Sequence, residues 1–321
     1  MEIVACDIGG THARFAIAGV EYGRVVALGD PVTLATADFA GLPTAWEAFA
    51  TRLGRPLPRH AGIAVAAPID GDVLKMTNSP WIIRPALIAE RLGLESFALV
   101  NDFGAIGHAV AQLGDEAFVH ICGPSEVPAD GVTTIVGPGT GLGVAQLLRR
   151  AGHAHVIETE GGHIDFAPLD SIEDGILAAL RRQYRRVSIE RLVSGPGLAA
   201  IYAALAAIEG RAVLQRDDRT LWQAALAGEE ALLNSALDRF CRILGAVAGD
   251  LALAHGANAV VLAGGIGLRL ADRLATSGFA ERFAAKGRYE ARMAALPVRL
   301  ITHPQPGLFG AAAAFANGAG A

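Results

Sequence analysis

The chain has 321 residues, 52% of them apolar, and a formal charge of −5. That length exceeds what one hydrophobic core usually serves, so two domains are expected, and no apolar run approaches the roughly 18 residues of a membrane span. The negative charge gives no electrostatic footing for nucleic acid or an anionic membrane surface, and the scattered Cys6, Cys122 and Cys241 argue for reduced thiols over a disulfide framework or a paired-cysteine metal site.

The opening residues MEIVACD lack the basic and apolar segments of a secretory leader and read as a first strand, which implies a cytoplasmic protein. Strands follow at HARFAIAG and RVVALG, then a helix at LPTAWEAFATRL, strands at AGIAVAA and VLKMT, a helix at ALIAERLG, the strand FALVN and a helix at GAIGHAVAQL. Near residue 110 the series restarts with FVHIC, TTIVG and LGVAQLL, which sets a candidate domain boundary. Short strands alternating with helices predict an α/β protein with a mixed sheet.

The restart repeats the plan of the beginning. IVACDIGGTHARFAIA and TTIVGPGTGLGVAQLL each have an apolar strand, a tight turn ending in Gly-Thr and a second apolar strand, about 130 residues apart. Either turn alone reads as an ordinary hairpin. As a matched pair they suit a phosphate chain held from two sides: glycine lets backbone N–H groups approach the oxygens, Thr11 and Thr140 add hydroxyl donors, and Asp7 can position a hydrated Mg²⁺. Other nucleotide signatures fail. A Walker A loop needs Gly-Lys, yet neither Lys75 nor Lys286 follows glycine; the protein-kinase motifs are missing, and the glycines of GPGTGLG and AGGIGLR do not fit the dinucleotide fingerprint.

Taken in order, DIGGTHARFAI, TNSPW, VNDFGAIG, GPGTGLGVA, ETEGGHIDFAP, ERLVSGPGL, VVLAGGIGLR and PGLFGAAAA resemble bacterial glucokinase, a branch of the sugar-kinase, actin and heat-shock-chaperone ATPase superfamily. The motifs run from about residue 3 to 313. The resemblance implies a two-domain α/β, actin-like ATPase (ribonuclease-H-like) fold with an interdomain cleft. It implies a small domain over 1–110, rejoined by a C-terminal helix at about 303–321, and a large domain over 111–302. It further implies a homodimer that uses glucose and ATP with Mg²⁺, and neither nucleic acid nor membrane.

For the site, the resemblance makes Asp102 the base that takes the proton of the sugar hydroxyl during phosphoryl transfer; by residue type alone Asp102 reads equally well as a helix N-cap. It makes Asn101, Asp102, Glu160, His163 and Glu190 the sugar contacts, where residue type alone gives a solvated helix residue for Glu190 and a loop histidine for His163. The ATP contacts it implies are Cys6, Asp7, Ile8, Gly9, Gly10 and Thr11, then Gly139, Thr140 and Gly141, and for the adenosine Gly264, Gly265 and Gly267 after the strand NAVVL. His12 and Pro138 depart from the usual family pattern, and Pro138 removes a possible N–H donor. A metal reading of His153, His155, Glu160 and His163 is the weaker one, because no further ligands of a closed site lie near. Two rivals remain: a nucleotide-driven filament or chaperone ATPase, which would need no sugar-binding carboxylates, and a non-enzymatic sugar sensor, which the lack of a basic helix-turn-helix extension disfavours.

Overall fold

The computed structural model describes residues 1–76, 79–213 and 216–318. Thr77 and Asn78 of the TNSPW motif, and the last three residues of the expected C-terminal segment, lie outside the described residues. The chain divides into two units: one of Met1–Ala117 and Val156–Glu158 with the C-terminal segment from His303, the other of Phe118–His155 and Thr159–Thr302. Among the described residues no helix is long and apolar enough to cross a membrane.

The first unit is built on strands β1 (Glu2–Ile8), β2 (His12–Glu21), β3 (Arg24–Leu28), β4 (Val32–Ala35), β5 (His60–Val65) and β8 (Ser96–Asn101), ordered β3-β2-β1-β5-β8 with β4 on the turn end of β2. β1 and β2 form an antiparallel hairpin, while β1, β5 and β8 run parallel. Ile3 to Cys6 of β1 are buried without interruption, as expected for a strand covered on both faces. On one face α1 (Leu42–Leu53) sends Trp46 and Phe49 against Phe15, with ring centroids 6.2 and 5.2 Å away. α2 (Pro85–Leu92) closes this layer through Ile88. The other face is covered by α3 (Asp102–Gln112) and the C-terminal helix Pro306–Gly318. That helix approaches so closely that a Cβ at Gly62 would lie 1.9 Å from the Ala311 carbonyl and one at Gly310 1.8 Å from that of Ala105.

The expected strand VLKMT shrinks to β6 (Leu74–Lys75), paired only with β7 (Ile82–Ile83) in a small ribbon. Beside it Trp81 is buried, its indole N–H shared between the carbonyls of Thr36 and Phe39.

The second unit repeats the plan. Its sheet is formed by β9 (Phe118–Cys122), β10 (Gly131–Pro138), β11 (Leu142–Arg150), β12 (His153–Thr159, of which Val156–Glu158 group with the first unit), β13 (Ala259–Leu262) and β14 (Val298–Ile301), ordered β12-β11-β10-β13-β14-β9. β10 and β11 form the antiparallel hairpin and β10, β13 and β14 run parallel, so β12 to β14 match β3 to β8 strand for strand, with β9 added at the edge. Its core is larger, built around the helices Ser171–Arg181, Gly195–Ile208 and Ala231–Ala254.

Candidate active site

In the first unit the parallel register aligns Ile8 with Val65 and Val65 with Asn101, so the carboxyl ends of β1, β5 and β8 share one edge. Ligands of α/β sheets bind at such edges. Asp7 stands just inside it. Its side chain is 19% exposed, with Arg14 Nη1 3.5 Å from Oδ2. Burial pushes the carboxyl above its ordinary range, and Arg14 partly offsets this. Gly307 leaves room for the carboxylate, since a Cβ there would lie 2.6 Å from Oδ2. The turn that follows is closed by Gly9 N–H donating to the His12 carbonyl at 2.9 Å, while the Gly10 and Thr11 N–H groups meet no backbone acceptor among the described residues. The Thr36 hydroxyl and N–H hold the carbonyls of Gly10 and Thr11. Cys6 and Ile8 point into the core and are fully buried, so only their backbone can face a ligand; burial also pushes the Cys6 thiol far up. His12 is exposed at the start of β2.

At the same edge Asn101 ends β8 and Asp102 opens α3. The N-cap role weighed for Asp102 belongs to Asn101: its Oδ1 accepts from Phe103 N–H at 2.8 Å and Gly104 N–H at 3.3 Å, and its Nδ2 donates to the Ala67 carbonyl. Asp102 is the first helical residue, its Oδ1 2.8 Å from the Phe103 N–H. A residue that sequence reasoning missed, Glu158, accepts from the Asn101 N–H through Oε1 at 2.7 Å. The alternation along β12 was its only signal.

In the second unit Gly139 N–H closes the turn onto the Gly141 carbonyl at 2.8 Å, and the Gly195 N–H braces the Gly139 carbonyl at 2.7 Å. Thr140 is exposed at the tip. Pro138 ends β10, and its carbonyl lies where a Cβ on Gly264 would sit 2.5 Å away. The three expected adenosine glycines therefore differ. Gly264 has φ +80°, a conformation that favours glycine; Gly267 is buried and packs against Leu300; only Gly265 has open space around its Cα. Instead of an open turn, they start the short helix Gly264–Arg269 directly after β13.

Glu160, His163 and Glu190 also lie in this unit. His163 Nε2 is 3.8 Å from Glu160 Oε2, and both side chains are more than half exposed. Two segments distant in sequence are laced together beside them. Asp165 bridges Ser188, Phe166 N–H donates to the Val187 carbonyl and Ile189 N–H to that of Ile164. Arg186, likewise missed from sequence within the run RRQYRR, binds both the His163 carbonyl and the Asp165 carboxylate. Glu190 reaches the hairpin: its Oε2 accepts from Leu142 N–H at 2.9 Å, in space that a Cβ on Gly141 would occupy. His153 and His155 are exposed on β12, and no group of three or more metal-ligating side chains occurs among the described residues.

The chain matches the family model described as glucokinase over residues 4–318. It is 62% identical over 318 residues to a glucokinase of Zymomonas mobilis, covering 99% of this chain and 98% of that one. A glucokinase of Caulobacter is 39% identical over 309 residues, covering 96% and 93%. Among solved structures, a glucokinase from an Antarctic psychrotroph superposes with a TM-score of 0.85 at 34% identity, covering 97% of this chain and 98% of that one. With matched motifs at both sheet edges, a duplicated actin-like ATPase topology and full-length identity of this order, the chain belongs to the glucokinase family.

Proposed function

We propose that the chain phosphorylates D-glucose from ATP to give glucose 6-phosphate and ADP, with Asp102 as general base. The identity of 62% to a full-length glucokinase supports the reaction. What supports the base is the register of β1, β5 and β8, which sets Asp102 at the sheet edge that also carries Asp7. Asp102 takes the proton of the sugar's 6-hydroxyl as O6 bonds to the γ-phosphorus and the bond to the bridging oxygen of ADP breaks. Positioning and charge stabilisation carry most of such a transfer, because the transition state asks little covalent chemistry of the protein.

Glu160, His163 and Glu190 bind the sugar hydroxyls, the carboxylates as acceptors and the imidazole as donor or acceptor. Gly10, Thr11 and Thr140 offer donors to the phosphates, and Gly265 leaves bare backbone for the adenosine. Asp7 fits Mg²⁺: Arg14 lies beside Oδ2, and the remaining oxygen of a single, mostly buried carboxylate suits an ion that keeps most of its waters and is otherwise held by substrate phosphate. When bound there, the ion supplies charge neutralisation at the phosphates. On the family resemblance the working form is a cytoplasmic homodimer, and the two units are its two domains. A coupled assay over a panel of hexoses, with ATP and polyphosphate as donors, tests the reading. Glucose with Mg-ATP is the expected best pair; ATP hydrolysis indifferent to glucose would overturn it.

A further inference from the structure

Helix α3 carries glycines at 104 and 107, one turn apart, and β12 crosses it there. Val156 fills the space at Gly107, where a Cβ would lie 2.6 Å from Cγ1, and Glu158, two residues on and on the same face of the strand, fills that at Gly104. A Cβ at Gly104 would lie 2.2 Å from Glu158 Oε1 and 2.8 Å from its Cδ and Cγ. The carboxylate so placed accepts from the Asn101 N–H at 2.7 Å. Glu158 is exposed to solvent, and this bond and the notch at Gly104 both hold its carboxylate against the start of α3. Asn101 in turn caps α3. The backbone immediately before Asp102 is therefore held from outside its own helix by a charged acceptor on its N–H, in addition to the pairing with β5 and the Asn101 Nδ2 bond to the Ala67 carbonyl.

Resting on the general-base reading of Asp102, we infer that Glu158 is a positioning residue: its hydrogen bond to the Asn101 N–H fixes the β8–α3 junction so that Asp102 meets the acceptor hydroxyl in reactive geometry. Glu158 does not touch the reacting atoms. Its removal lowers turnover and leaves nucleotide use nearly unchanged, because displacement of a catalytic group by about 1 Å can cost on the order of 100-fold. Glutamine preserves an acceptor at the same reach, so Glu158→Gln recovers most of what Glu158→Ala loses. A merely structural glutamate would not give that split.

The experiment measures kcat, both KM values and the melting temperature of the full chain for Glu158→Ala, Glu158→Gln, Gly104→Ala and Asp102→Asn. The expected result is a drop in kcat of about 10- to 100-fold for Glu158→Ala with the KM for ATP within about threefold, and recovery in Glu158→Gln. Gly104→Ala reaches the same end without removing a polar group, since alanine favours the helix while its Cβ evicts the carboxylate; it decides the matter should Glu158→Ala not fold. Normal kcat in folded Glu158→Ala or Gly104→Ala overturns the inference, as does Glu158→Gln falling as far as Glu158→Ala. Near-normal turnover in Asp102→Asn overturns the general-base reading itself, whereas an inactive Asp102→Asn beside a fully active Glu158→Ala overturns only the role of Glu158.

Discussion

The two Gly-Thr hairpins share a topology and differ in what stands behind them. The first has a four-residue loop between Ile8 and Ala13 and a carboxylate, Asp7, on the strand that enters it. The second has a three-residue loop between Pro138 and Leu142; its entering strand is uncharged, and its brace comes from Gly195 and from the Glu190 carboxylate. Duplication thus supplied one strand–turn–strand plan twice with loops of different length, and on the proposed assignment the reacting-end carboxylates fall in one copy and the sugar-recognition groups in the other. Asp7 and Asp102 share the first sheet's edge, while Glu160, His163 and Glu190 belong to the second unit.

If that division of labour holds, the largest effect is that of Asp102→Asn. The helix cap belongs to Asn101, so the variant folds normally, and losing the proton acceptor lowers kcat by about 10²- to 10⁴-fold; a folded variant with near-normal turnover breaks the comparison at its first point. The first unit also carries an acid sensitivity. Burial pushes His108 on α3 down to about 4, and its Nδ1 has no hydrogen-bond partner among the described residues. Its charged form is disfavoured in the fold, so the contribution is complete above pH 6.5 and is lost as the pH falls toward 4. The loss is on the order of 3 kcal/mol, and His108→Leu should flatten the fall in melting temperature over that range.

The glycines after β13 give the next test. Gly264→Ala meets both a positive φ and the Pro138 carbonyl and should cost about 1–3 kcal/mol of stability. Gly265→Ala should leave the melting temperature unchanged and raise the KM for ATP, and equal melting temperatures in the two variants would contradict the distinction. A smaller effect is expected of Glu190→Gln, which keeps an acceptor for Leu142 N–H while removing the charge offered to the sugar. The KM for glucose should rise by about tenfold, and an equal rise for ATP would show that Glu190 serves the hairpin alone. Smallest is Thr140→Val, which retains shape and loses one hydroxyl: a several-fold weaker use of Mg-ATP with unchanged glucose binding by calorimetry.

Much of this was legible in the sequence. α1 spans the residues the periodicity gave, and the repeat of the hairpin carried the duplicated sheet, because two apolar strands about a glycine turn are a local pattern. What escaped is non-local. VLKMT has strand composition but no sheet edge to join, and β4, four residues long, owes its existence to pairing with β2. Asp102 could not be separated from a cap without seeing that Asn101 takes both donors. Glu158 and Arg186 act through backbone groups distant in sequence, and no residue type announces such a partner.

The C-terminal helix has a temporal consequence. Leu308, Ala312 and Phe315 complete the layer over Ile3, Ala5 and Ala16, so a segment that leaves the ribosome early shares its core with one made about 290 residues later. The second unit has all its strands and helices before residue 303 and can consolidate during synthesis, as domains generally do in order of emergence. The first unit must wait for the segment from His303 onward. A nascent chain stalled before His303 therefore leaves an apolar sheet face for chaperones to cover.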